Sequence, residues 1–280
     1  MKRFALIGLS GFVAKKHVKC ISQLNGDLVA ALDTHDNVGF VDSFFPNCFF
    51  FKNEKSFFSY IKKNNINYVV ICSPSFLHFR HISLSLKSGC NVIVEKPPIL
   101  NSSDFKKVEV LQKKFKKTCH CIFQLREDKR LIYLKKTINK LSVPNKVKID
   151  YHTRRGKWYE TSWKSNKKFS GGLLINIGIH FVDILIWLFG DIEKITIIKN
   201  TKEQIIGKFK MTNADVDWKL SITNYKNLNF FREMRINDYK INFDIFNDLH
   251  LENYKSIIYK KKFAIKNFKK LLKNIEKLKF

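Results

Sequence analysis

The chain has no C-x-x-C pair: its six cysteines, Cys20, Cys48, Cys72, Cys90, Cys119 and Cys121, are scattered. That removes the common zinc and dithiol motifs, and 280 residues can build a core without disulfide staples. Reduced thiols are expected, and no metal. Cys119-His120-Cys121 lies in an apolar stretch where strand alternation turns both thiols to one face, which reads as a buried pair. Acidic residues are few, 24 against 52 basic ones, so the formal charge is +28. Such a charge admits a polyanion-binding protein. Arginine is the scarcer base, however, at only eight of the 52, and grooves that read bases rely on arginine forks. No nucleic-acid partner is expected. Met1-Lys2-Arg3 runs straight into a strand-like segment without the small-residue cleavage site of a signal peptide, so a cytoplasmic protein is expected. The apolar run Leu173 to Phe189 approaches the roughly 20 residues of a membrane span. It carries Asn176, His180 and Asp183, so no stable membrane insertion is expected. Internal repeats and long linkers are absent too.

What remains is a chain with 45% hydrophobic residues, enough for two domains. Over residues 1–125, strand-like runs (Phe4 to Gly8, Leu28 to Asp33, Cys48 to Phe51, Tyr68 to Cys72, Asn91 to Glu95, Thr118 to Gln124) alternate with helical stretches. The helices are expected at Gly11 to Leu24, Asn53 to Asn64, Phe76 to Lys87 and Asn101 to Lys117. This is the α/β pattern of a doubly wound parallel sheet, a Rossmann domain. Residues 126–280 change order. A helix from Asp128 to Lys140 and a strand from Lys146 to Thr153 lead through an aromatic and basic loop to an apolar helix, Leu173 to Phe189. Strands follow near Ile192 to Lys199, Ile205 to Met211, Trp218 to Thr223, Asn229 to Ile236 and Lys240 to Phe243. Short connections predict an α+β domain with a mainly antiparallel open sheet. In the tail, Phe268, Leu271, Leu272, Ile275 and Leu278 fall at helical spacing within Phe263 to Phe280 and are expected to pack on the body.

Four motifs carry chemistry. Gly8-Leu9-Ser10-Gly11-Phe12-Val13-Ala14 follows the first strand and opens the first helix, where small residues let a pyrophosphate approach backbone amides. Ser10 stands where a second glycine often sits, and Ala14 takes the third place. Asp33 ends the second strand, where a carboxylate accepts from ribose hydroxyls and repels a 2′-phosphate, so NAD is favoured over NADP. Cys72-Ser73-Pro74-Ser75-Phe76-Leu77-His78 sits at another strand's carboxyl end, with Ser73, Pro74 and His78 beside the cofactor; His78 and His81 read equally well as solvated helix residues. Glu95-Lys96-Pro97-Pro98 restrains an ammonium in extended backbone. In Ser170 to Asp183, positions 176, 180, 183 and 187 fall within roughly 60° on a helix, so Asn176, His180, Asp183 and Trp187 form one polar face, expected to line a cleft.

Together these motifs resemble the Gfo/Idh/MocA oxidoreductase family, from Met1 to about Gly190 and more thinly beyond, where Phe246-Asn247-Asp248-Leu249-His250 also fits. The resemblance implies that Lys96 and His180 are the catalytic pair, that the Lys96-Pro97 peptide is cis, and that NAD lies on Gly8, Ser10, Gly11, Phe12, Val13, Asp33, Ser73, Pro74, His78, Glu95, Lys96 and Gln124. Many members carry Asp where this chain has Asn176. Within the family, Gln124-Leu125-Arg126, Arg154-Arg155-Gly156-Lys157-Trp158-Tyr159 and Ser162-Trp163-Lys164 are similar to the branch that oxidises UDP-N-acetylglucosaminuronic acid at C3 for O-antigen sugars of lipopolysaccharide. Glu127-Asp128 replaces the His-Pro that tends to follow the arginine there.

The substrate positions implied are Lys96, Arg154, Arg155, Trp158, Tyr159, Trp163, Lys164, Asn176 and His180. Arginine and lysine suit pyrophosphate and carboxylate, and tryptophan or tyrosine covers a ring. The expected activity is oxidation of a secondary sugar alcohol, with His180 as general base and Lys96 stabilising the alkoxide. Either group is suited to accept the proton. A homo-oligomer, dimer or tetramer, is implied as well. The alternatives are another sugar or cyclitol dehydrogenase or reductase, and a non-catalytic dinucleotide sensor.

Overall fold

The apolar runs of the first 124 residues become strands whose central members are buried on both faces, as helices on both sides require. They are β1 (Arg3–Ile7), β2 (Asp27–Leu32), β3 (Phe49–Phe51), β4 (Tyr68–Ile71), β5 (Asn91–Val94) and β6 (Cys119–Cys121). All pair in parallel, in the order β3-β2-β1-β4-β5-β6, which is the Rossmann order. Between them run α1 (Ala14–Gln23), α2 (Glu54–Lys63), α3 (His78–Lys87) and α4 (Ser102–Phe115). The order reverses between β1 and β4, so the carboxyl ends of these strands form the switch point where such sheets bind ligands. The computed structural model describes residues 1–138, 144–223, 231–243 and 249–280. Parts of three expected segments therefore lie outside the described residues: the end of the Asp128 to Lys140 helix, the start of the strand at Asn229, and Phe246 to Asp248.

The second sheet follows α5 (Lys129–Thr137). It starts with β7 (Asn145–His152) and continues, after α6 (Trp158–Thr161), α7 (Lys167–Ser170) and α8 (Ile179–Phe189), with β8 (Ile192–Asn200), β9 (Gln204–Met211), β10 (Ala214–Ser221), β11 (Phe231–Ile236) and β12 (Tyr239–Asn242). The order is β12-β11-β7-β10-β9-β8, antiparallel except for β7 with β10. One face is charged. The other carries Tyr151, Trp218 and Phe209, on which Phe181 of α8 packs, its ring 5.8 Å from Tyr151 and 6.1 Å from Trp218. Each such buried aromatic contributes about 1.5–3 kcal/mol. The Lys167–Phe189 stretch is apolar enough for a span, but 83% of its window is buried.

The helix expected at Leu173 to Phe189 is present, but it is not regular throughout: Leu174–Gly178 is a π turn, and regular α-helix resumes at Ile179. The chain divides into Met1–Gln124 with His250–Lys273, and Leu125–Leu249 with Asn274–Phe280. The returning segment is α9 (Leu249–Lys260), which hydropathy hides because it buries His250, Asn253, Tyr254 and Ser256 beside Ile257. It is followed by α10 (Lys269–Lys273), and the tail forms three short turns instead of one helix, though Phe268, Leu271, Leu272, Ile275 and Leu278 are all buried. Phe268 stacks on Phe123 at 4.5 Å, and the Cys121 amide donates to the Phe263 carbonyl beyond β6.

Gly207 lies at a closely packed point of the second sheet. A Cβ there would stand 2.6 Å from the Trp218 ring and 2.7 Å from the Thr196 carbonyl oxygen on the neighbouring strand. Gly207→Ala is expected to lower stability by about 1–3 kcal/mol, as overpacking does. Urea unfolding followed by tryptophan fluorescence measures this; an unchanged midpoint contradicts it.

Candidate active site

The glycine-rich turn is built by sterics and one carboxylate. Gly8 has φ +88°, and a Cβ on it would lie 2.6 Å from the Ser73 nitrogen, so only glycine lets β1 and β4 end side by side. Asp33 Oδ2 accepts from both the amide and the hydroxyl of Ser10 at 2.8 Å, and its Oδ1 accepts from the His35 amide. The ribose acceptor expected from sequence thus also fastens the turn, and a carboxylate has lone pairs for further donors. Gly11 and Val13 are half-buried, Ser10 is exposed, and Phe12 is 93% exposed. α1 starts behind this turn with Lys15 and Lys16, which favours an anion at its positive end. Gln124 Oε1 is buried with no hydrogen-bond partner among the described residues. The tight turn, the cationic helix start and this orphaned acceptor fit a dinucleotide.

Lys96, half-buried after β5, is bracketed by histidines. Its peptide with Pro97 is cis. On one side, the ring of His78 places Nδ1 2.7 Å from the Pro97 carbonyl oxygen and Nε2 2.8 Å from that of Ser73. Burial pushes the His78 pKa down to about 4, against the raising effect of the two carbonyls. His81 Nδ1 meets the Ser73 hydroxyl at 2.8 Å, and its Nε2 meets Glu54 at 2.9 Å. Both rings are buried, so the solvated reading of them does not hold. Pro74 follows in the same turn and starts the helix-like turn Ser75–Leu77. On the other side stands Glu95, whose Oε1 lies 2.9 Å from Nε2 of buried His17 and 3.8 Å from Nε2 of His250, while Oε2 accepts from the Lys96 amide at 3.3 Å. Burial alone would raise the Glu95 carboxyl; the hydrogen bond from His17 and the nearby His250 ring outweigh it and hold it well below the usual carboxylate range. His17 and His250 were not anticipated for this site.

His180 belongs to the second unit, half-buried, two residues past the π turn. The polar row of its helix is real but is not all cleft lining. Asp183 is 1% exposed, and both its oxygens are taken by Arg126, at 2.8 Å from Nε and 2.6 Å from Nη2. The same guanidinium lies 5.7 Å from the centre of the Trp187 ring. Asn176 Nδ2 donates to the Lys164 carbonyl oxygen at 3.3 Å, which also receives the Tyr159 hydroxyl at 3.1 Å. Asn176, Tyr159 and Lys164 are therefore brought together. The Lys164 ammonium lies over Trp158 at 5.3 Å and Trp163 at 5.8 Å; burial and then the charge of Arg155 lower its pKa.

The expected loop holds α6 and α7, and it opens a cavity of about 890 Å³ in the second unit. Arg155, Tyr159 and Lys164 line it, joined by Lys157, Lys167 and Lys202, with Glu160 and Glu203. His180, Arg154, Trp158, Trp163 and Asn176 lie outside its lining. Arg155 donates to Thr153 Oγ1 at 3.1 Å, and Arg232 of β11 reaches the same hydroxyl at 3.0 Å. Arg232 is a residue that sequence reasoning missed, because only the β7–β11 register brings it beside Tyr151.

Residues 2–123 match the oxidoreductase family model described as an NAD-binding Rossmann fold, and residues 135–215 match that family's C-terminal alpha/beta domain. The chain belongs to the Gfo/Idh/MocA family. Among solved structures, the WlbA (WbpB) dehydrogenase of Thermus thermophilus is 33% identical with a TM-score of 0.95, covering 100% of this chain and 95% of that one. It was solved with NAD and alpha-ketoglutarate, and with NAD and UDP-GlcNAcA. The Bordetella pertussis WlbA dehydrogenase, at 18% identity and TM-score 0.84 over 99% and 94% of the two chains, shares the fold. Escherichia coli D-glucoside 3-dehydrogenase is 26% identical over 125 residues, 44% of this chain. The chain spans only 35–39% of the length of the curated relatives it matches. The resemblance read from the four motifs is borne out: a Gfo/Idh/MocA oxidoreductase with an NAD-binding Rossmann domain and an α+β partner domain.

The Arg126–Asp183 pair carries a pH signature. Burial raises the Asp183 carboxyl, and Arg126 opposes this. In Arg126→Met the opposing charge is gone, so the folded chain holds a proton on Asp183 where the unfolded chain has lost it. Stability should then fall as pH rises from about 4 toward neutrality, with a loss of about 3–5 kcal/mol at neutral pH. Thermal unfolding across this range tests it; a parallel offset from the unmodified protein at every pH contradicts it.

Proposed function

We propose that the protein is a cytoplasmic, NAD-dependent dehydrogenase that oxidises the C3 hydroxyl of UDP-N-acetylglucosaminuronic acid to the 3-keto sugar, for O-antigen sugars of lipopolysaccharide. The observation that carries the substrate class is the cavity of about 890 Å³ walled by Arg155, Lys157, Lys164, Lys167 and Lys202. Five cations against two carboxylates, Glu160 and Glu203, leave the cavity positive and suit a ligand with both a pyrophosphate and a carboxylate. Similarity along the whole chain to a WlbA dehydrogenase solved with NAD and UDP-GlcNAcA supports the same choice.

Gly8, Ser10, Gly11, Phe12, Val13, Asp33, Ser73, Pro74 and Gln124 would hold NAD, which when bound supplies the hydride acceptor. His180 takes the proton of the C3 hydroxyl, a task for which imidazole is suited near neutral pH. Lys96 hydrogen-bonds the same oxygen and stabilises negative charge as it develops. Lys164, already short of water, binds the anionic end of the substrate beside Arg155, while Trp158 and Trp163 cover ring faces. Arg154 adds positive charge beside them, and Asn176 orients Tyr159. A homo-oligomer, dimer or tetramer, completes this reading.

The experiment is NADH absorbance on mixing NAD with UDP-GlcNAcA, UDP-GlcNAc, an alkyl glucoside and an inositol. UDP-GlcNAcA should turn over fastest, with UDP-GlcNAc losing the carboxylate contacts. Lys96→Met and His180→Ala should each lower kcat by about 10²–10⁴-fold. Lys164→Met should raise KM by about 10–100-fold, the loss of a charge-assisted hydrogen bond. Preference for the glucoside or inositol would overturn the substrate; NAD binding without any turnover would make the protein a sensor.

A further inference from the structure

We propose that His17, with Tyr254 and His250 of α9, is the positioning residue for Lys96, acting through the Glu95 carboxylate. The role of Lys96 here rests on the function proposed above. A lysine ammonium stands at the end of a flexible stem, so where it reaches depends on how its backbone is held. The Glu95 amide makes the last bond of β5 to the sheet, donating to the Ile71 carbonyl oxygen at 3.0 Å. The next amide, that of Lys96, turns to the Glu95 side chain, at 3.3 Å. The carboxylate thus continues the hold of the sheet one residue further, as long as it stays charged and immobile.

His17 secures both conditions. It is fully buried, its Nε2 stands 2.9 Å from Glu95 Oε1, and its Nδ1 stands 2.7 Å from the Tyr254 hydroxyl. Glu95 only accepts, so Nε2 carries the proton; Nδ1 then offers a lone pair, and the Tyr254 phenol donates to it. Tyr254 is wholly buried, and its hydroxyl therefore selects the ring tautomer that serves Glu95. The His250 ring meets that of His17 edge-on at 5.9 Å, closing the third side. His17, Glu95 and His250 also present donor atoms within 4.8 Å of one another, a spacing that a metal ion accepts. The direct contact to Glu95 and the Tyr254 hydroxyl, however, already occupy both nitrogens of His17. His17 sits in α1, the helix that opens at the dinucleotide turn, so one side chain ties that helix, the lysine strand and the returning C-terminal helix together.

The test uses the full chain and three variants: His17→Leu, His17→Gln and Tyr254→Phe. Glutamine keeps an N–H donor near the place of Nε2; leucine keeps bulk alone. In protein without substrate, hydrogen exchange at the Glu95 and Lys96 amides should quicken about 10-fold or more in His17→Leu and return within about 3-fold in His17→Gln. With UDP-GlcNAcA, kcat should fall about 10-fold in His17→Leu while KM changes less than about 2-fold, with recovery in His17→Gln and an intermediate loss in Tyr254→Phe. Equal exchange in all variants, or His17→Gln as impaired as His17→Leu, overturns the proposal. So does one equivalent of a divalent metal in the purified unmodified protein that His17→Gln lacks. If the unmodified protein fails to oxidise the sugar nucleotide, the substrate reading falls, and the exchange rates still decide the positioning role.

Discussion

A carboxylate taken out of water must be met by donors or it gives up its charge, and the first unit is organised around one that is met on every side. Glu95 draws in His17 from the helix behind the glycine-rich turn, His250 from the end of the chain, and the amide of the residue that follows it. Because two of its partners come from distant stretches of sequence, the acid acts as a clamp as much as a charge. It explains why a segment beyond residue 249 returns to the N-terminal unit. The opposite flank of Lys96 is closed by His78, which spans the carbonyls of Ser73 and Pro97. Lys96 therefore projects from backbone fixed at both ends.

The second unit repeats the device with different chemistry. Asp183 lies one helical turn beyond His180 and is gripped by both arms of Arg126, whose guanidinium lies over Trp187. A buried pair of this kind adds little net stability, and its strong effect appears when one partner is lost. Its position beside a π turn suggests what it is for: the turn departs from regular helix geometry just before His180, and such departures are frequent at functional sites. In both units, an unreactive buried acid stands next to the residue assigned to the chemistry.

The parallel sheet and its glycine-rich turn were legible because strands buried on both faces write themselves as apolar runs, and because a tight phosphate turn admits few residue types. Gly8 and Asp33 could be picked out on those grounds; Lys96 and His180 were singled out by the family resemblance. The rest was hidden for identifiable reasons. α9 buries polar groups, so its inward face has no apolar stripe, and neither His17 nor His250 carries a local signal that it meets Glu95. A helical wheel assigned Asp183 to a cleft because it assumes regular geometry and cannot see Arg126 arriving from 57 residues away. Arg232 reaches Thr153 only through strand register, which no window of sequence contains. The large positive charge was the least informative feature: much of it is scattered lysine, and the part that suggests a ligand is the cluster around the cavity of the second unit.

The proposed oxidation changes one carbon of one sugar. Carbon-13 NMR of uniformly labelled UDP-GlcNAcA, incubated with the enzyme and an equivalent of NAD, reads that carbon directly. Loss of the C3 carbinol signal and the appearance of a single ketone carbon bonded to C2 and C4 are expected. A carbonyl at any other ring position, or an unchanged sugar in the presence of bound NAD, would contradict the proposed oxidation.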